Sequence, residues 1–326
     1  MRRVLVTGAG GQIGSELVPA LRRGLGDAAV LATDLRPLAG ELAEAGPAAV
    51  VDCLDVAAVA EAAARHDADT VFHLAALLSA TAERDPVRAW RINMETLANV
   101  LEVARERRLA LFVPSSVAAF GPTTPTDPAP QDTLQRPTSI YGVTKVAGEL
   151  LCDYYWQRWG VDTRGLRYPG LISYSAPPGG GTTDYAVAIF HHAVRDGRYT
   201  CFLAADTGLD MMYMPDAVRA AVELMDADPD RLEHRNAFNV TAMQLTPARL
   251  AEEIRRHLPG FEIAYEVDPV RQRIAESWPQ RMDDAAAREE WGWRPEYDLA
   301  RMTEDMIAHV SNRPQDTARS VARAST

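Results

Sequence analysis

The stretch Val4-Leu-Val-Thr-Gly-Ala-Gly-Gly-Gln-Ile-Gly14 places a short apolar segment directly before a turn rich in glycine. Leu17, Val18 and Leu21 follow at the spacing of an amphipathic helix. The sequence therefore predicts a β-strand, a glycine turn and an α-helix in that order. A turn in this context binds a dinucleotide, because the helix N-terminus directs its positive dipole end and its backbone N–H groups towards the phosphates.

Each glycine in the spacing G-x-x-G-x-x-G has an expected task. Gly8 permits the tight turn, Gly11 lets the backbone approach a pyrophosphate, and Gly14 lets the helix pack closely against the strand. Gln12 and Ile13 lie between the last two glycines, so we expect them to contact the same dinucleotide.

The next predicted strand, residues 30–34, ends in an acid that indicates which dinucleotide binds. Asp34 stands twenty residues after Gly14. A carboxylate there accepts hydrogen bonds from the adenosine ribose and repels a 2′-phosphate, which favours NAD over NADP. Arg36 lies close by and is suited to a 2′-phosphate, but it is equally suited to a solvated loop.

Later strands are expected to add cofactor contacts. Apolar segments at 48–52, 70–76 and 109–113 predict three more strands, with helices at 56–65 and 86–107. In a doubly wound parallel sheet the carboxyl ends of the strands face the ligand. The contacts predicted there and on the long helix are Asp52, Cys53, Leu74, Ala75, Ala76, Asn93 and Ser115. His73, inside an apolar run, is expected to be a core histidine.

The segment Ser139-Ile-Tyr-Gly-Val-Thr-Lys145 carries the chemistry. Tyr141 and Lys145 are four residues apart, so a helix places them on one face, one turn apart. A neighbouring ammonium favours the phenolate, which would make Tyr141 a base at neutral pH. Ser116 ends a central strand, where a hydroxyl can orient the reacting group of a substrate.

Composition excludes several other functions. The 326 residues carry a net charge of −11, whereas nucleic acids and anionic membranes require clustered Lys and Arg. We expect neither a signal peptide nor a membrane-spanning run. The three cysteines are scattered without a Cys/His cluster, so we expect a cytoplasmic enzyme that needs no metal.

These motifs resemble the extended short-chain dehydrogenases/reductases, the group that includes the sugar-nucleotide epimerases. The matching segments are Gly8-x-x-Gly11-x-x-Gly14, Asp34, 73–76, Asn93, 115–116 with 120–121, Tyr141-x-x-x-Lys145, 167–170, and Asp283 with 291–295. The resemblance implies that Tyr141 is the general base, that Lys145 binds the nicotinamide ribose and lowers the phenol pKa, and that Ser116 orients the reacting hydroxyl. It further implies that Tyr168 and Pro169 flank the nicotinamide, and that the helices near 86–107 and 141–159 form a homodimer.

The C-terminal half is expected to choose the substrate. Residues 177–185 combine three glycines with Thr182, Thr183 and Asp184. Hydroxyls and backbone donors can bind a carboxylate, and the carboxylate of Asp184 can bind an ammonium. We therefore interpret this segment as a binding site for an amino-acid zwitterion; the alternative interpretation is a flexible loop without function. By resemblance to the amino-acid-oxidising members, Ser79, Thr183, Asp184 and Trp278 contact L-threonine, although Trp278 could equally be core packing.

We therefore predict an α/β protein with a Rossmann-type doubly wound parallel sheet and a smaller C-terminal substrate-binding lobe. The predicted NAD-binding domain is 1–170 plus 211–238, the substrate-binding lobe is 171–210 plus 239–310, and 311–326 is a disordered tail. The alternative enzyme is a sugar-nucleotide epimerase or dehydratase. It is disfavoured because Leu209 stands where those enzymes carry an arginine for the diphosphate. A non-catalytic NAD sensor is disfavoured because Tyr141, Lys145 and Ser116 are all present.

Overall fold

The computed structural model describes residues 1–175 and 181–312. The strands are β1 Val4–Thr7, β2 Val30–Asp34, β3 Ala48–Val50, β4 Thr70–His73, β5 Ala110–Ser116, β6 Thr163–Tyr168, β7 Gly170–Ile172, β8 Arg198–Cys201, β9 Leu209–Tyr213, β10 Phe238–Asn239, β11 Met243–Leu245 and β12 Glu262–Tyr265. The helices are α1 Gly14–Leu25, α2 Glu41–Glu44, α3 Val56–Arg65, α4 Ser79–Arg84, α5 Pro86–Arg107, α6 Ile140–Trp159, α7 Tyr185–Asp196, α8 Met214–Asp226, α9 Pro247–His257, α10 Pro269–Glu276, α11 Ala285–Glu290 and α12 Leu299–Ser311.

Seven parallel strands form the central sheet, in the order β10-β6-β5-β4-β1-β2-β3. The order reverses between β1 and β4, and ligands of such sheets bind beside that point at the carboxyl ends of the strands. The predicted Rossmann-type doubly wound sheet is confirmed.

Local signals in the sequence explain where the helices around this sheet begin. The Asp55 carboxylate accepts hydrogen bonds from the Ala57 and Ala58 amides and thereby starts α3. Ser139 does the same for α6, with its Oγ 3.1 Å from the Gly142 amide nitrogen. After β4, residues 79–84 form the short helix α4, which begins at the predicted substrate contact Ser79.

The C-terminal half contributes two small sheets, β11-β9-β7 and β12-β8. The segment 211–238, which is predicted to belong to the NAD-binding domain, begins in β9, and this strand belongs to the three-stranded sheet and not to the large sheet. The strand that pairs with β6 in the large sheet is β10. The division into 1–170 plus 211–238 and 171–210 plus 239–310 stays a prediction, and residues 313–326 of the predicted tail lie outside the described part.

Buried side chains form separate cores that match this arrangement. One face of the large sheet packs on α1 and α8 around Phe72 and Phe112, and the other packs on α3, α5 and α6 around Leu101. A third core, around Phe190 and Met306, joins α7, α9 and α12 to the small sheets. None of the helices in the described ranges is both long and apolar enough to cross a bilayer.

Candidate active site

The glycine turn after β1 has the close packing that the sequence predicts. A Cβ at Gly8, whose φ is +71°, would lie 2.7 Å from the Ala75 amide nitrogen, and one at Gly14 would lie 2.6 Å from the Gly8 carbonyl oxygen. Within the described ranges, the backbone N–H groups of Gln12 and Ile13 have no backbone acceptor. The turn therefore offers free amide donors at a helix N-terminus, which fits a dinucleotide pyrophosphate.

Asp34 lies beside this turn at the end of β2. Its Oδ2 accepts a 3.0 Å hydrogen bond from the Gly10 amide, and its Oδ1 lies 3.4 Å from the Arg36 amide nitrogen. The carboxylate is thus held at the turn, where the predicted ribose contact requires it.

Asp52 and Cys53 follow β3 on the expected adenine side. The Asp52 carboxylate accepts the Leu54 amide at 2.9 Å, and the Cys53 carbonyl accepts the Asn99 side-chain amide at 3.0 Å. Burial raises the pKa of the Cys53 thiol to about 11. The thiol therefore stays protonated, and the pair remains a predicted adenine contact.

The end of β4 is organised by Asn93 from α5. Its side-chain amide accepts from the Leu77 amide at 2.7 Å and donates to the Leu77 carbonyl at 3.1 Å and to Thr144 Oγ1 at 3.2 Å. Asn93 thus joins the segment after Leu74, Ala75 and Ala76 to the helix that carries Tyr141. His73 is buried and bonds Thr7 Oγ1 at 2.9 Å, and burial lowers its pKa to about 3.

Tyr141, Lys145 and Ser116 meet at the carboxyl ends of β5 and β6. The Lys145 ammonium lies 5.4 Å from the centre of the Tyr141 ring and donates a 2.6 Å hydrogen bond to the Pro114 carbonyl. Ser116 hydrogen-bonds the Tyr141 hydroxyl, and it pairs with Tyr168 across β5 and β6.

The protonation of this group differs from the expectation that Lys145 lowers the pKa of Tyr141. Burial raises the pKa of Tyr141 to about 12, and the hydrogen bond from Ser116 is the influence that opposes it. Burial also lowers the pKa of Lys145 to about 8, with the charge of Glu149 acting in the other direction. The phenol therefore needs further positive charge nearby before it can act as a base at neutral pH.

Lys145 is also unusual in the whole sequence, because it is the only lysine beside 33 arginines. Elsewhere the chain uses arginine for positive charge. At this position the compact ammonium of Lys145 contacts the Pro114 carbonyl and faces Tyr141. A guanidinium is larger and planar, so arginine would not make the same contacts.

The crevice beside Tyr141 has a volume of about 190 Å³. Its walls come from the glycine turn, the ends of β4 to β6, α4 and the small lobe. The predicted residues that line it are Gln12, Ile13, Leu74, Ala76, Ser79, Ser115, Ser116, Tyr141, Lys145, Tyr168, Pro169, Thr183, Asp184 and Trp278. The structure thus brings most of the predicted cofactor and substrate contacts to one crevice.

The substrate-side residues have additional structural contacts. Asp184 Oδ2 accepts the Gly181 amide at 2.7 Å and so closes the turn that presents Thr183. Trp278 lines the crevice and also packs against a buried cluster that includes Val117 and Phe120. Residues 176–180 of the predicted glycine loop lie outside the described part of the chain.

Sequence reasoning misses two residues near the site. Glu149 lies one helical turn beyond Lys145 and binds Ser115 and Arg167. The spacing of four residues from Tyr141 to Lys145 to Glu149 is a usable signal for it. Gly170 lines the crevice, and a Cβ there would lie 2.7 Å from Thr183 Cγ2; its place in the matching segment 167–170 is the signal for it, but the contact with Thr183 is not visible in the sequence.

Comparisons with known proteins agree with this geometry. Residues 4–241 match the model of the NAD dependent epimerase/dehydratase family. This chain belongs to that family. An uncharacterized epimerase/dehydratase of Staphylococcus haemolyticus is 52% identical over 317 residues, which cover 97% of this chain and 100% of the relative.

Solved structures of L-threonine dehydrogenases are also similar. L-threonine dehydrogenase from Clostridium difficile is 51% identical with a TM-score of 0.94, covering 95% of this chain and 98% of that one. A monomeric L-threonine 3-dehydrogenase from a metagenome is 43% identical with a TM-score of 0.90, covering 94% and 98%.

Membership of the NAD dependent epimerase/dehydratase family confirms the resemblance to extended short-chain dehydrogenases/reductases. It also confirms an NAD-dependent enzyme. The free amides at Gln12 and Ile13, the carboxylate of Asp34 and the partly buried ammonium of Lys145 fit this cofactor. Within the described ranges, no group of three His, Cys, Asp or Glu side chains is arranged to hold a metal ion.

Proposed function

We propose that this enzyme oxidises the β-hydroxyl of L-threonine to 2-amino-3-oxobutanoate with NAD as the oxidant, in threonine catabolism. The observation that carries the proposal is the crevice in which Tyr141 and Ser116 face Thr183 and Asp184 of the small lobe. The similarity to L-threonine dehydrogenases over nearly the whole chain supports it.

In this reaction NAD⁺, when bound, accepts the hydride that leaves the β-carbon. Tyr141 takes the proton of the β-hydroxyl through its phenolate oxygen, and the proton then passes to solvent. Ser116 donates a hydrogen bond to the oxygen on which negative charge develops. One C–H and one O–H bond break, one C=O bond forms, and NADH and a proton are released.

The side chains next to Tyr141 and Ser116 in the crevice are those that would bind the charged groups of a small zwitterion. The hydroxyls of Ser79 and Thr183 are suited to the α-carboxylate, and the carboxylate of Asp184 is suited to the α-ammonium. The bulky side chain of Trp278 lines the crevice and takes up space that a larger substrate would need.

The alternative enzyme, a sugar-nucleotide epimerase or dehydratase, needs cationic contacts to a diphosphate. At the position where those enzymes carry an arginine, Leu209 is buried in β9 with 2% of its surface exposed. Its aliphatic side chain offers no donor to a phosphate.

An absorbance assay of NADH formation with L-threonine, L-serine and L-allo-threonine tests the proposal. We expect L-threonine to be the best of the three, because both its β-methyl group and its hydroxyl must fit one orientation over the base. No NADH from any of them, together with conversion of a nucleotide sugar without net reduction of NAD, would support the alternative enzyme instead.

We also infer a homodimer in the cytoplasm. Val87 and Trp90 of α5 and Leu150 and Tyr154 of α6 are large, exposed and apolar or aromatic, and α5 packs beside α6. Cys53, Cys152 and Cys201 are free and buried, which suits a reducing compartment. Light scattering of the purified chain tests the dimer, and a monomer at micromolar concentration would contradict it.

A further inference from the structure

Glu149 occupies the third place in a row on one face of α6, after Tyr141 and Lys145. Four-residue steps place these three side chains one turn apart along the helix. Only 7% of the Glu149 side chain is exposed. A buried carboxylate is costly unless it is paired and fully hydrogen-bonded, so its partners indicate what it does.

The partners of Glu149 come from three other segments. Its carboxylate receives the Ser115 hydroxyl, the Gln135 side-chain amide at 2.9 Å, and Arg167 Nη2 at 2.9 Å. Arg167 continues the network to the Gln131 carbonyl at 2.8 Å. The carboxylate thus ties α6 to both β5 and β6.

These contacts are adjacent to the reacting groups. Ser115 directly precedes Ser116 on β5, and Arg167 directly precedes Tyr168 on β6. The two pairs are in register, because Ser115 lies opposite Arg167 and Ser116 lies opposite Tyr168. One carboxylate therefore holds the strand positions next to Ser116 and Tyr168 at a set distance from Lys145.

We propose that Glu149 is a positioning residue of the active site, which holds Ser116, Tyr168 and Lys145 in register through Ser115 and Arg167 and keeps a negative charge behind the ammonium. The inference rests on the proposed dehydrogenase function. Glu149 touches neither substrate nor cofactor in this role, and it acts through the residues that do.

The charges around Lys145 make the electrostatic part of the role specific. On α6 the neighbours are Tyr141, Glu149 and Cys152, and from β4 His73 faces the ammonium and is neutral at ordinary pH. Arg167 of β6 stands behind Glu149 as its ion-pair partner. Glu149 is thus the negative charge that favours the protonated form of Lys145 and raises its pKa against the effect of burial.

The test uses Glu149→Gln, which keeps the shape and removes the charge. We expect kcat to fall about 10- to 100-fold, while the KM for the amino acid and the Kd for NADH change less than about threefold. The alkaline limb of the pH profile of kcat is expected to move to lower pH. Wild-type kcat, or a loss of kcat that is uniform over pH, would overturn the proposal.

A second measurement needs no substrate. Because Lys145 is the only lysine, isotope-labelled lysine gives a single side-chain resonance whose titration reports its pKa. We expect a midpoint of about 8 in the wild type and one about one pH unit lower in Glu149→Gln. This result decides the role of Glu149 even if L-threonine is not oxidised, so the two proposals fail separately. An unchanged midpoint overturns the electrostatic role.

Glu253→Gln is the matched control. Glu253 lies on α9 with 8% of its side chain exposed, and it pairs with Arg256 at 2.7 Å, far along the chain from the site. We expect both its kcat and its lysine midpoint to match the wild type.

If Glu149→Gln does not fold, Glu149→Asp decides the positioning role. Aspartate keeps the charge but draws the carboxylate back from Ser115. We expect a loss in kcat of about 3- to 10-fold with unchanged Kd for NADH, since one charge-assisted hydrogen bond is weakened. Unchanged kcat in this variant would overturn the proposal.

Discussion

The Lys145 ammonium lies 5.4 Å from the centre of the Tyr141 ring. Burial disfavours the charged form of both groups. It raises the pKa of Tyr141 to about 12 and lowers the pKa of Lys145 to about 8. The phenolate therefore depends on positive charge added beside it, and oxidised nicotinamide is a cationic ring. Base strength is thus expected to be greatest when the oxidised cofactor is bound.

Tyr141→Phe tests the base directly. The change removes one oxygen atom from the crevice and leaves the glycine turn and Asp34 unaltered. We expect NADH formation to fall at least about 1000-fold, since both the proton acceptor and a donor to the developing alkoxide are lost. NADH fluorescence titration should give a Kd within about threefold of the wild type. Retained turnover would remove Tyr141 from the role of base.

Local signals are sufficient to predict much of the fold. The structure contains the helices that these signals predict. The glycine turn directly precedes α1, Asp55 caps α3, and the unbroken helical pattern of 86–107 is α5. The sheet membership of β9 is not predictable in this way, because its partners β7 and β11 lie far away in the sequence.

Contacts between distant parts of the sequence also limit what can be predicted of the active site. The four-residue spacing of Tyr141 and Lys145 predicts that they are neighbours, but the pKa of Tyr141 depends on how deeply the folded chain buries it. Likewise, Glu149 acquires its role from Ser115, Gln135 and Arg167, which come from three different segments.

Asp34→Asn tests the preference for NAD over NADP. The amide can still accept the Gly10 N–H, so the turn should keep its shape, but the negative charge at the ribose is lost. We expect kcat/KM for NAD to fall about 10-fold, as for a weakened hydrogen bond to a charged group, and kcat/KM for NADP to rise. Arg36→Ala is the control and should leave the NAD value unchanged. An unaltered ratio between the two cofactors would show that Asp34 does not select.

Gly170→Ala tests whether this glycine positions Thr183. The new Cβ would lie 2.7 Å from Thr183 Cγ2 and would also meet the side chain of Met211. Methionine can shift, but rotation of threonine about χ1, which is restricted by β-branching, moves its hydroxyl together with its methyl group. We expect the KM for the amino acid to rise about 10-fold and the free energy of unfolding to fall by about 1–2 kcal/mol.

Gly24→Ala is the matched control for that change. Gly24 lies in α1, and a Cβ added there would have no atom within 4 Å, so alanine is expected to keep KM and to stabilise the helix by about 0.5 kcal/mol. Steady-state kinetics and urea unfolding measure both variants. Equal KM values for Gly170→Ala and the wild type would contradict the role of Gly170 in positioning Thr183 for substrate binding.

Asp210 makes the stability of the protein depend on pH. Its carboxyl is 2% exposed on β9, accepts the Thr241 hydroxyl at 2.6 Å and the Met282 amide at 2.8 Å, and burial raises its pKa to about 7. A raised pKa means that the folded protein holds this proton when the unfolded chain has lost it. The Asp210 contribution to stability therefore falls as pH rises from about 4 to about 7 and stays constant above that.

Asp210→Asn removes this dependence and keeps both hydrogen bonds, because its oxygen can accept the Met282 amide while its nitrogen donates to the Thr241 hydroxyl. The variant should gain free energy of unfolding relative to the wild type, and the gain should grow by about 2–3 kcal/mol between about pH 5 and about pH 8. Urea unfolding at both pH values measures the difference, in which the titration of other groups such as His73 cancels. If the gain in free energy of unfolding is the same at both pH values, Asp210 has the same pKa in the folded and unfolded chains. That result would contradict the raised pKa that its burial produces.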